Sequence, residues 1–495
     1  MKQQVYNPFL PLWEYIPDGE PHVFGNRLYL YGSHDKEAGP TFCMLDYAGW
    51  SAPVDDLSDW SCSGSIYSAK QDPLYHPKKM PYMYAPDVVR GNDGRYYLYY
   101  CMSGDFGFGG YMNPVSVAVC DTPDGRFEYL GVVRDQSGSP LMRYVCFDPA
   151  VINDNGVIRL YYGTVTPWLD QIPVQHLREK AYCENFGRTL GQLRAVPEGI
   201  TGAFCVTLAD DMLTAVSKPT RIDDHITGAG YKDHLFFEGS SIRRIGDRYY
   251  FIYSSVNNHE LCYAVSQYPD RDFRFGGTIV SNGDIGYQGR KPANRLNHTG
   301  TNHGSIECVN GKWYVFYHRL THLSDYSRQA CAEPITVLPD GSIPQVEITS
   351  CGLNGGPLQG EGTYPAPICC NLTDGKMQHG TNQKKELNNP CVTSGSGERY
   401  IKNITDKTLI GYKYFAFSGS ADITLTIRGD ASGQFDVAVQ PDGPAVGSIQ
   451  VSPAKEWTKV QGRAAFSPGV HPLYFRYHGR GNVELLEFVL SDSDK

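Results

Sequence analysis

Five ionisable side chains recur at the same place in a repeated sequence pattern. Each stands roughly 10–12 positions before the centre of a tyrosine-rich run, the length of two short strands and a tight turn. The five are Asp18, Asp87, Asp148, Glu238 and His303. Repeats of a four-stranded unit are typical of a β-propeller, in which equivalent positions of the blades converge on the central axis. The spacing therefore predicts a five-bladed propeller with these side chains around one central site.

Carboxyl groups gathered at one site can break a glycosidic bond. One protonates the leaving oxygen, and a second, on the other face of the sugar, activates water when configuration is inverted. A third carboxylate nearby raises the pKa of the acid by like-charge repulsion. A single aspartate before Pro or Gly is most often a turn residue, as Asp148 before Pro149 could be. Five equivalent ionisable positions are harder to explain as turns, so the pattern favours a glycosidase.

The elements that position these residues divide the 495-residue chain into two predicted domains. The repeats occupy residues 1–345, which predict the catalytic propeller. Residues 346–495 begin with a Gly/Pro-rich linker and continue with period-two strands separated by Gly, Asp and Ser turns, a pattern typical of an antiparallel β-sandwich of jelly-roll type. This second domain could bind carbohydrate or act as a structural support. Between Asp148 and Glu238, residues 175–194 predict a short helical insertion at the rim of the propeller.

Composition excludes several classes of protein. The formal net charge of −9 is spread along the chain, which argues against nucleic acid as a partner. No stretch of about 20 apolar residues predicts a membrane span. The first residues contain no apolar signal core, so we expect a cytoplasmic protein, or a secreted one whose leader has been removed. The 14 cysteines lack C-x-x-C spacing and are interpreted as reduced thiols rather than zinc ligands.

The motifs around these acids resemble those of glycoside hydrolase family 43. They are Pro17-Asp18-Gly19 with Ser33-His34-Asp35, Tyr84-Ala85-Pro86-Asp87, Phe147-Asp148-Pro149-Ala150-Val151, Glu238-Gly239-Ser240-Ser241 and Asn302-His303-Gly304-Ser305. Members are five-bladed propellers that invert configuration and mostly remove arabinose or xylose. Many carry a C-terminal β-sandwich similar to family 6 carbohydrate-binding modules.

The resemblance implies an inverting exo-glycosidase that releases terminal xylose or arabinofuranose from plant cell-wall oligosaccharides, derived from xylan or arabinoxylan. It implies no cofactor for the chemistry, and a structural Ca²⁺ on the propeller axis as in several members. Asp18 is then the general base, Glu238 the general acid, and Asp148 the residue that modulates the pKa of the acid. Members usually have Ala-Asp-Pro at the base, whereas Gly19 follows Asp18 here. Glu20 therefore remains a competitor for the role of base.

Seven further residues are predicted to contact the substrate. They are Asp35, Tyr84, Asp87, Phe147, Trp168, His303 and Arg328. By the resemblance, the arginine reaches sugar hydroxyls; lowering the pKa of Asp148 and forming a plain salt bridge are the alternatives. The three aromatic residues could form apolar walls for a sugar ring or belong to the core.

The roles of three of these residues have specific alternatives. Asp35 could equally be a turn residue, and Asp87 could serve the architecture as much as binding. His303 could contact calcium or substrate through water, because calcium prefers oxygen ligands, or be a hydrogen-bonded core histidine.

Two other functions remain open on the sequence. An endo-arabinanase would have an open groove, and the insertion before Glu238 and the second domain disfavour it because they add walls. A non-catalytic sugar-binding propeller would use the same acids to hold hydroxyls or calcium. The sequence does not decide between xylose and arabinose, nor does it predict the oligomeric state.

Overall fold

The computed structural model describes residues 3–104, 111–380 and 388–492, and the described chain is built mostly of β-strands. The first nineteen strands form five antiparallel sheets in chain order. They are β1 (Glu20–Phe24), β2 (Arg27–Tyr31), β3 (Tyr47–Pro53), β4 (Ser61–Tyr67), β5 (Met83–Arg90), β6 (Tyr96–Met102), β7 (Val115–Cys120), β8 (Glu128–Val132), β9 (Ala150–Asp154), β10 (Val157–Thr164), β11 (Gly202–Leu208), β12 (Thr220–Arg221), β13 (Phe236–Ile245), β14 (Arg248–Ser255), β15 (Glu260–Ser266), β16 (Arg274–Ser281), β17 (Ser305–Val309), β18 (Lys312–Leu320) and β19 (Arg328–Ile335).

The five sheets are the blades of a propeller, as the repeats predict. The first strands of neighbouring blades contact one another, and β17 of the last blade contacts β1 of the first. A parallel bridge between Gly19 and Gly304 lies at this junction. The last blade has only three strands of its own, and the N-terminal segment runs beside its outer strand, where the Phe9 amide donates to the Ala330 carbonyl at 3.2 Å. The two ends of the propeller therefore close the ring together.

The tyrosines of the repeat explain why the blades stay in register. A buried tyrosine in the second strand of each of the first four blades donates its hydroxyl to a backbone carbonyl in an outer turn of the following blade. The bonds run from Tyr31 to Pro123 (2.7 Å), from Tyr99 to Met212 (2.7 Å), from Tyr161 to Pro269 (2.7 Å) and from Tyr250 to Gly341 (2.8 Å). Each ring thus fills the space between two blades while its polar tip is satisfied.

The predicted insertion is helical and belongs to the third blade. Between β10 and β11 lie α1 (Pro167–Asp170), α2 (Gln175–Phe186) and α3 (Leu190–Arg194). The α2 helix buries Tyr182 and Phe186, and Phe186 packs edge-on against Tyr111. No helix within the described residues is long and apolar enough to cross a membrane. All 14 cysteines are free thiols.

The remaining strands form one twelve-stranded sheet that curls around its own core. They are β20 (Leu358–Gln359), β21 (Gly362–Pro365), β22 (Asn371–Thr373), β23 (Cys391–Gly395), β24 (Glu398–Ile404), β25 (Leu409–Phe417), β26 (Ala421–Gly429), β27 (Ser432–Ala438), β28 (Ala445–Val451), β29 (Ala454–Ala464), β30 (Gly469–Arg480) and β31 (Val483–Asp492). Tyr412 of β25 meets Phe488 of β31 at 4.6 Å between ring centroids, although these strands are not neighbours in the sheet. This contact between distant strands makes the domain sandwich-like.

Candidate active site

Four of the five repeated residues meet at the hub of the propeller. Asp18, Asp148 and His303 each stand two residues before the first strand of their blade, and Glu238 is the third residue of β13. Asp18 and Asp148 have positive φ angles of 58° and 43°, which cost a non-glycine residue of the order of 1–3 kcal/mol. This strained backbone lies at the entry to the inner strand in both blades, where it sets the direction of the carboxyl group.

The ring of His303 lies between two of the carboxyl groups. Its Nδ1 atom is 3.8 Å from Asp18 Oδ1 and 3.7 Å from Asp148 Oδ2. The Gly239 amide, next to Glu238, donates to the same Asp148 oxygen at 3.1 Å. Gly239 has a φ of 71°, and a Cβ there would stand 3.0 Å from His303 Cδ2. Glycine at this position therefore allows the acid-bearing strand to approach the histidine.

The guanidinium group of Arg328 forms ion pairs with two aspartates. Its Nη1 donates to both oxygens of Asp18 at 2.7 and 3.0 Å, while Nε and Nη2 donate to Asp35 at 2.8 and 3.0 Å. Such bidentate, charge-assisted pairs are the strong hydrogen bonds of proteins. Of the alternatives that the sequence left open, the salt bridge is present, with Asp18 and Asp35 as partners, and the charge of Arg328 also acts to lower the pKa of Asp148, against the larger effect of burial.

Asp35 and Asp87 are the two predicted substrate ligands that the structure places elsewhere. Asp35 is 1% exposed, and its oxygens accept from Arg328 and from the Cys43 amide at 2.9 Å. Asp87 is fully buried and accepts from His22, Val88 and Val151 at 2.6–2.7 Å. These contacts make Asp35 a support for the arginine and Asp87 a link between the first three blades, so neither is positioned as a direct sugar ligand.

Aromatic side chains lie on the side of the hub formed by the second and third blades. Phe147, beside Asp148, packs against Tyr84 at 5.7 Å between centroids and is nearly buried. Trp168 is 49% exposed and stands edge-on to Phe237, the neighbour of Glu238, at 5.9 Å. Phe147 is therefore mainly a packing residue, whereas about half of the Trp168 side chain remains exposed beside Phe237.

Two hub carboxyl groups have pKa values displaced in opposite directions. Burial alone raises the pKa of Asp18, but the positive charge of Arg328 outweighs it and lowers the pKa to about 2. Burial and the nearby charge of Asp18 raise the pKa of Glu238 to about 8. At neutral pH Asp18 is thus an ionised carboxylate that can accept a proton, and Glu238 is an acid that can donate one.

Asp148 interacts electrostatically with both Asp18 and Glu238. Burial, and then the charges of Glu238 and Asp18, raise the pKa of Asp148 well above its ordinary value. Glu238 and Asp148 therefore resist being ionised together, because each charge disfavours the other. The charge of Glu238 raises the pKa of Asp148, whereas burial and Asp18 raise that of Glu238, so the modulator role of Asp148 stays a prediction.

His318 completes the surroundings of Asp18 and was not singled out in the sequence. It is fully buried, its Nδ1 accepts the Asp18 amide at 3.2 Å, and its Nε2 lies 3.0 Å from Thr301 Oγ1. Because Nδ1 accepts, the hydrogen-bond pattern assigns the proton to Nε2. Burial lowers the pKa of His318 to about 3, so the ring is neutral at pH 7. The only sequence signal was a histidine at the end of the aromatic run of β18.

Glu20, the competitor for the base, lies two residues further along the first strand. Its Oε2 accepts from Arg243 at 2.8 Å, and burial raises its pKa to about 7. Its carboxyl group lies with Arg243, His22 and Asp87, whereas Asp18 shares the His303 ring with Asp148. The geometry therefore favours Asp18 over Glu20 as the base.

The same strand contributes to a cluster of metal-ligand types. Ligand atoms of Glu20, His22 and Asp87 all lie within 4.8 Å of one another. Both oxygens of Asp87 already accept hydrogen bonds, and the guanidinium of Arg243 stands beside Glu20. A positive group at this place opposes a divalent cation, so the cluster does not fit calcium held directly by these side chains.

Comparison with known proteins shows the family of the chain. The sequence pattern of the family described as "Glycosyl hydrolases family 43" matches residues 17–343. A protein of Thermoclostridium stercorarium named xylosidase/arabinosidase is 42% identical over 99% of both chains.

Solved structures show the same fold. A GH43_1 enzyme from Xanthomonas citri complexed with xylose aligns with a TM-score of 0.52 at 24% identity, over 71% of this chain and 96% of that one. CoXyl43, a β-xylosidase/α-arabinofuranosidase from a compost microbial metagenome, aligns with a TM-score of 0.50 at 25% identity, over 68% and 95%. The family match extends over the propeller that carries the hub carboxyl groups, and the chain belongs to glycosyl hydrolase family 43.

Proposed function

We propose that this glycoside hydrolase removes terminal xylose or arabinofuranose from plant cell-wall oligosaccharides and inverts the configuration at the anomeric carbon. The observation that carries the proposal is the opposite displacement of two pKa values at one hub, about 2 for Asp18 and about 8 for Glu238. An inverting glycosidase needs one carboxylate and one carboxylic acid at the same pH. The name of the Thermoclostridium stercorarium relative, xylosidase/arabinosidase, supports the two sugars.

In the proposed reaction, Asp18 takes a proton from the attacking water while Glu238 gives its proton to the leaving glycosidic oxygen. Arg328 and the neutral His318 hold the Asp18 carboxylate in position through its oxygens and its amide. Burial and the charge of Asp18 keep Glu238 protonated until the bond begins to break. The chain thus supplies both proton transfers from its own side chains.

The rim of the hub supports exo rather than endo action. Trp168, in the first helix of the third-blade insertion, is half exposed and packs edge-on against Phe237, the neighbour of Glu238. Aromatic faces of this kind commonly stack on sugar rings. A wall on the acid side favours a pocket that receives a chain end over a groove that a polysaccharide crosses.

We propose no cofactor for bond cleavage. A calcium ion on the axis would be structural and would contact His303 through water, since the His303 ring faces Asp18 and Asp148 rather than a set of free oxygen ligands. CoXyl43 has been solved with xylotriose in a calcium-free form.

A substrate panel with stereochemical detection tests the proposal. We expect the protein to hydrolyse nitrophenyl β-xyloside, nitrophenyl α-arabinofuranoside or both, and to release single pentoses from xylo-oligosaccharides. Proton NMR taken in the first minutes should show the anomer opposite in configuration to the substrate. Internal cleavage of arabinan without pentose release would favour the endo-arabinanase, and saccharide binding without turnover would favour a non-catalytic propeller.

The pKa displacements also predict the pH profile of kcat/KM. Activity should fall at low pH as Asp18 is protonated near its pKa of about 2, and at high pH as Glu238 loses its proton near about 8. The plateau should therefore span the range between these values, and it should be visible with an initial-rate series in buffers of constant ionic strength. An alkaline limb below pH 6 would contradict the assignment of Glu238 as the acid.

A further inference from the structure

The C-terminal sheet touches the propeller beside the active site through one edge. Its strands β23 and β24 form a hairpin, residues 391–404, at the end of the sheet. Arg399 of this hairpin donates from Nη2 to Glu37 Oε2 at 2.8 Å. The Val392 amide donates to the Thr321 carbonyl at 3.0 Å. The hairpin thus contacts two propeller loops, residues 33–45 and residues 321–328, by a side chain and by its backbone.

Those two loops carry the groups that hold the catalytic base. The 33–45 loop contains Asp35, and the 321–328 loop ends at Arg328, which bridges Asp35 to Asp18. The Ala38 amide also donates to Ser327 Oγ at 2.9 Å. A shift of either loop would therefore move the guanidinium relative to the base.

Glu37 is the junction between the hairpin and this network. Its Oε1 accepts the Tyr15 hydroxyl at 2.8 Å, and its Oε2 accepts from Arg399. The Tyr15 carbonyl in turn accepts the Asp35 amide at 2.9 Å. Burial raises the pKa of Glu37, but His322, Tyr15 and Arg399 outweigh it and lower the pKa to about 2. Glu37 thus joins three groups: Tyr15, the His322 ring at 3.6 Å from its Oε1, and Arg399, which comes from the C-terminal sheet.

We propose that Arg399 is a positioning residue of the active site, through which the C-terminal sheet fixes the loops that hold Arg328 on Asp18. This inference rests on the proposed function of Asp18 as the base. It assigns the sheet a role in turnover itself, which is separate from any binding of polysaccharide. A small soluble substrate would be affected as much as a polymer.

The domain contact does not depend on Arg399 alone. Lys413 of β25 is buried and donates to Asp284 Oδ2 at 3.0 Å and to Glu347 Oε2 at 2.9 Å, both outside the C-terminal strands. This second ion pair should keep the sheet docked when Arg399 is replaced. A change in activity would then report on the loops rather than on undocking.

The test replaces Arg399 by methionine and by lysine and assays a nitrophenyl pentoside well below the melting temperature. We expect Arg399→Met to lower kcat by about 10- to 100-fold, as small misplacements of catalytic groups do, with KM changed much less. The acid limb of the pH profile should move to higher pH, because a looser Arg328 holds the charge of Asp18 less well. Arg399→Lys, which keeps the charge, should recover part of the loss.

Arg476→Met is the matched control, because Arg476 lies on β30 of the same sheet and donates to the carbonyls of Pro441 and Gly443, outside the hairpin and both loops. It should leave kcat and the acid limb unchanged. Hydrogen exchange of the full chain gives a readout independent of activity: amides of 33–45 and 321–328 should exchange faster in Arg399→Met only. The inference would be overturned if Arg399→Met left kcat, the acid limb of the pH profile and the hydrogen exchange of both loops unchanged. The same holds if the variant only lowered the melting temperature and changed none of these three. Wild type without turnover would refute the proposed function, whereas the exchange comparison would still decide whether Arg399 positions the loops.

Discussion

Glu238→Gln is expected to lower kcat/KM on xylobiose by roughly 10²- to 10⁴-fold, the usual contribution of a general acid. The amide has the size of the carboxylic acid but has no proton to transfer to the leaving oxygen. The loss should be much smaller on a nitrophenyl glycoside, because nitrophenolate leaves without protonation. The alkaline limb of the pH profile should also disappear, since Glu238 is the group that titrates there with a pKa of about 8. Initial rates on both substrates across pH measure these effects.

A matched control exists in the same chain. Glu333 is buried, and burial raises its pKa to about 8 as well, but its partners are Asn7, Tyr317 and Thr349 rather than hub residues. Glu333→Gln should keep the activity and the alkaline limb of the wild type. An equal loss on both substrates in Glu238→Gln would show that the residue does not protonate the leaving group.

The convergence of the repeated residues at the hub could be predicted from sequence, because residues at equivalent positions of the repeat lie at equivalent positions of the blades, close to the central axis. Asp18, Asp148 and His303 keep a constant spacing to the strands that follow, so their convergence depends only on the repeat. The same logic placed Asp87 with them, but its carboxylate turns toward His22 and serves the junction of the blades. A repeat fixes the position of a backbone and leaves the direction of a side chain open.

The network behind the base could not be predicted in the same way. Arg328 reaches Asp18 across 310 positions, and this contact exists because the ring closes between the first and last blades. No spacing within a blade relates the two residues, and none relates Arg399 to Glu37. The strands of the C-terminal sheet could be predicted from the alternation of apolar and polar residues. The edge by which the sheet contacts the propeller could not, because it depends on how the surfaces of the two folded domains fit together.

Asp18→Asn is expected to lower kcat on every substrate by roughly 10²- to 10⁴-fold, a loss that does not depend on the leaving group. Water must be activated in each case, and an amide is not a base. This independence of the leaving group distinguishes the base from the acid, and the two variants compared on nitrophenyl xyloside and xylobiose measure it.

The second effect of Asp18→Asn follows from electrostatics. The charge of Asp18 is, after burial, the main cause that raises the pKa of Glu238, so its removal should shift the alkaline limb of the residual activity to lower pH. Asp154→Asn is the matched control: Asp154 is held by Arg159 and Arg244 and has a lowered pKa, but it lies in the third blade away from the hub. It should keep wild-type turnover.

Retention of more than about a tenth of wild-type kcat by Asp18→Asn would contradict its role as the general base, because a general base contributes at least of the order of 10²-fold. Glu20→Gln would then be the variant expected to lose activity.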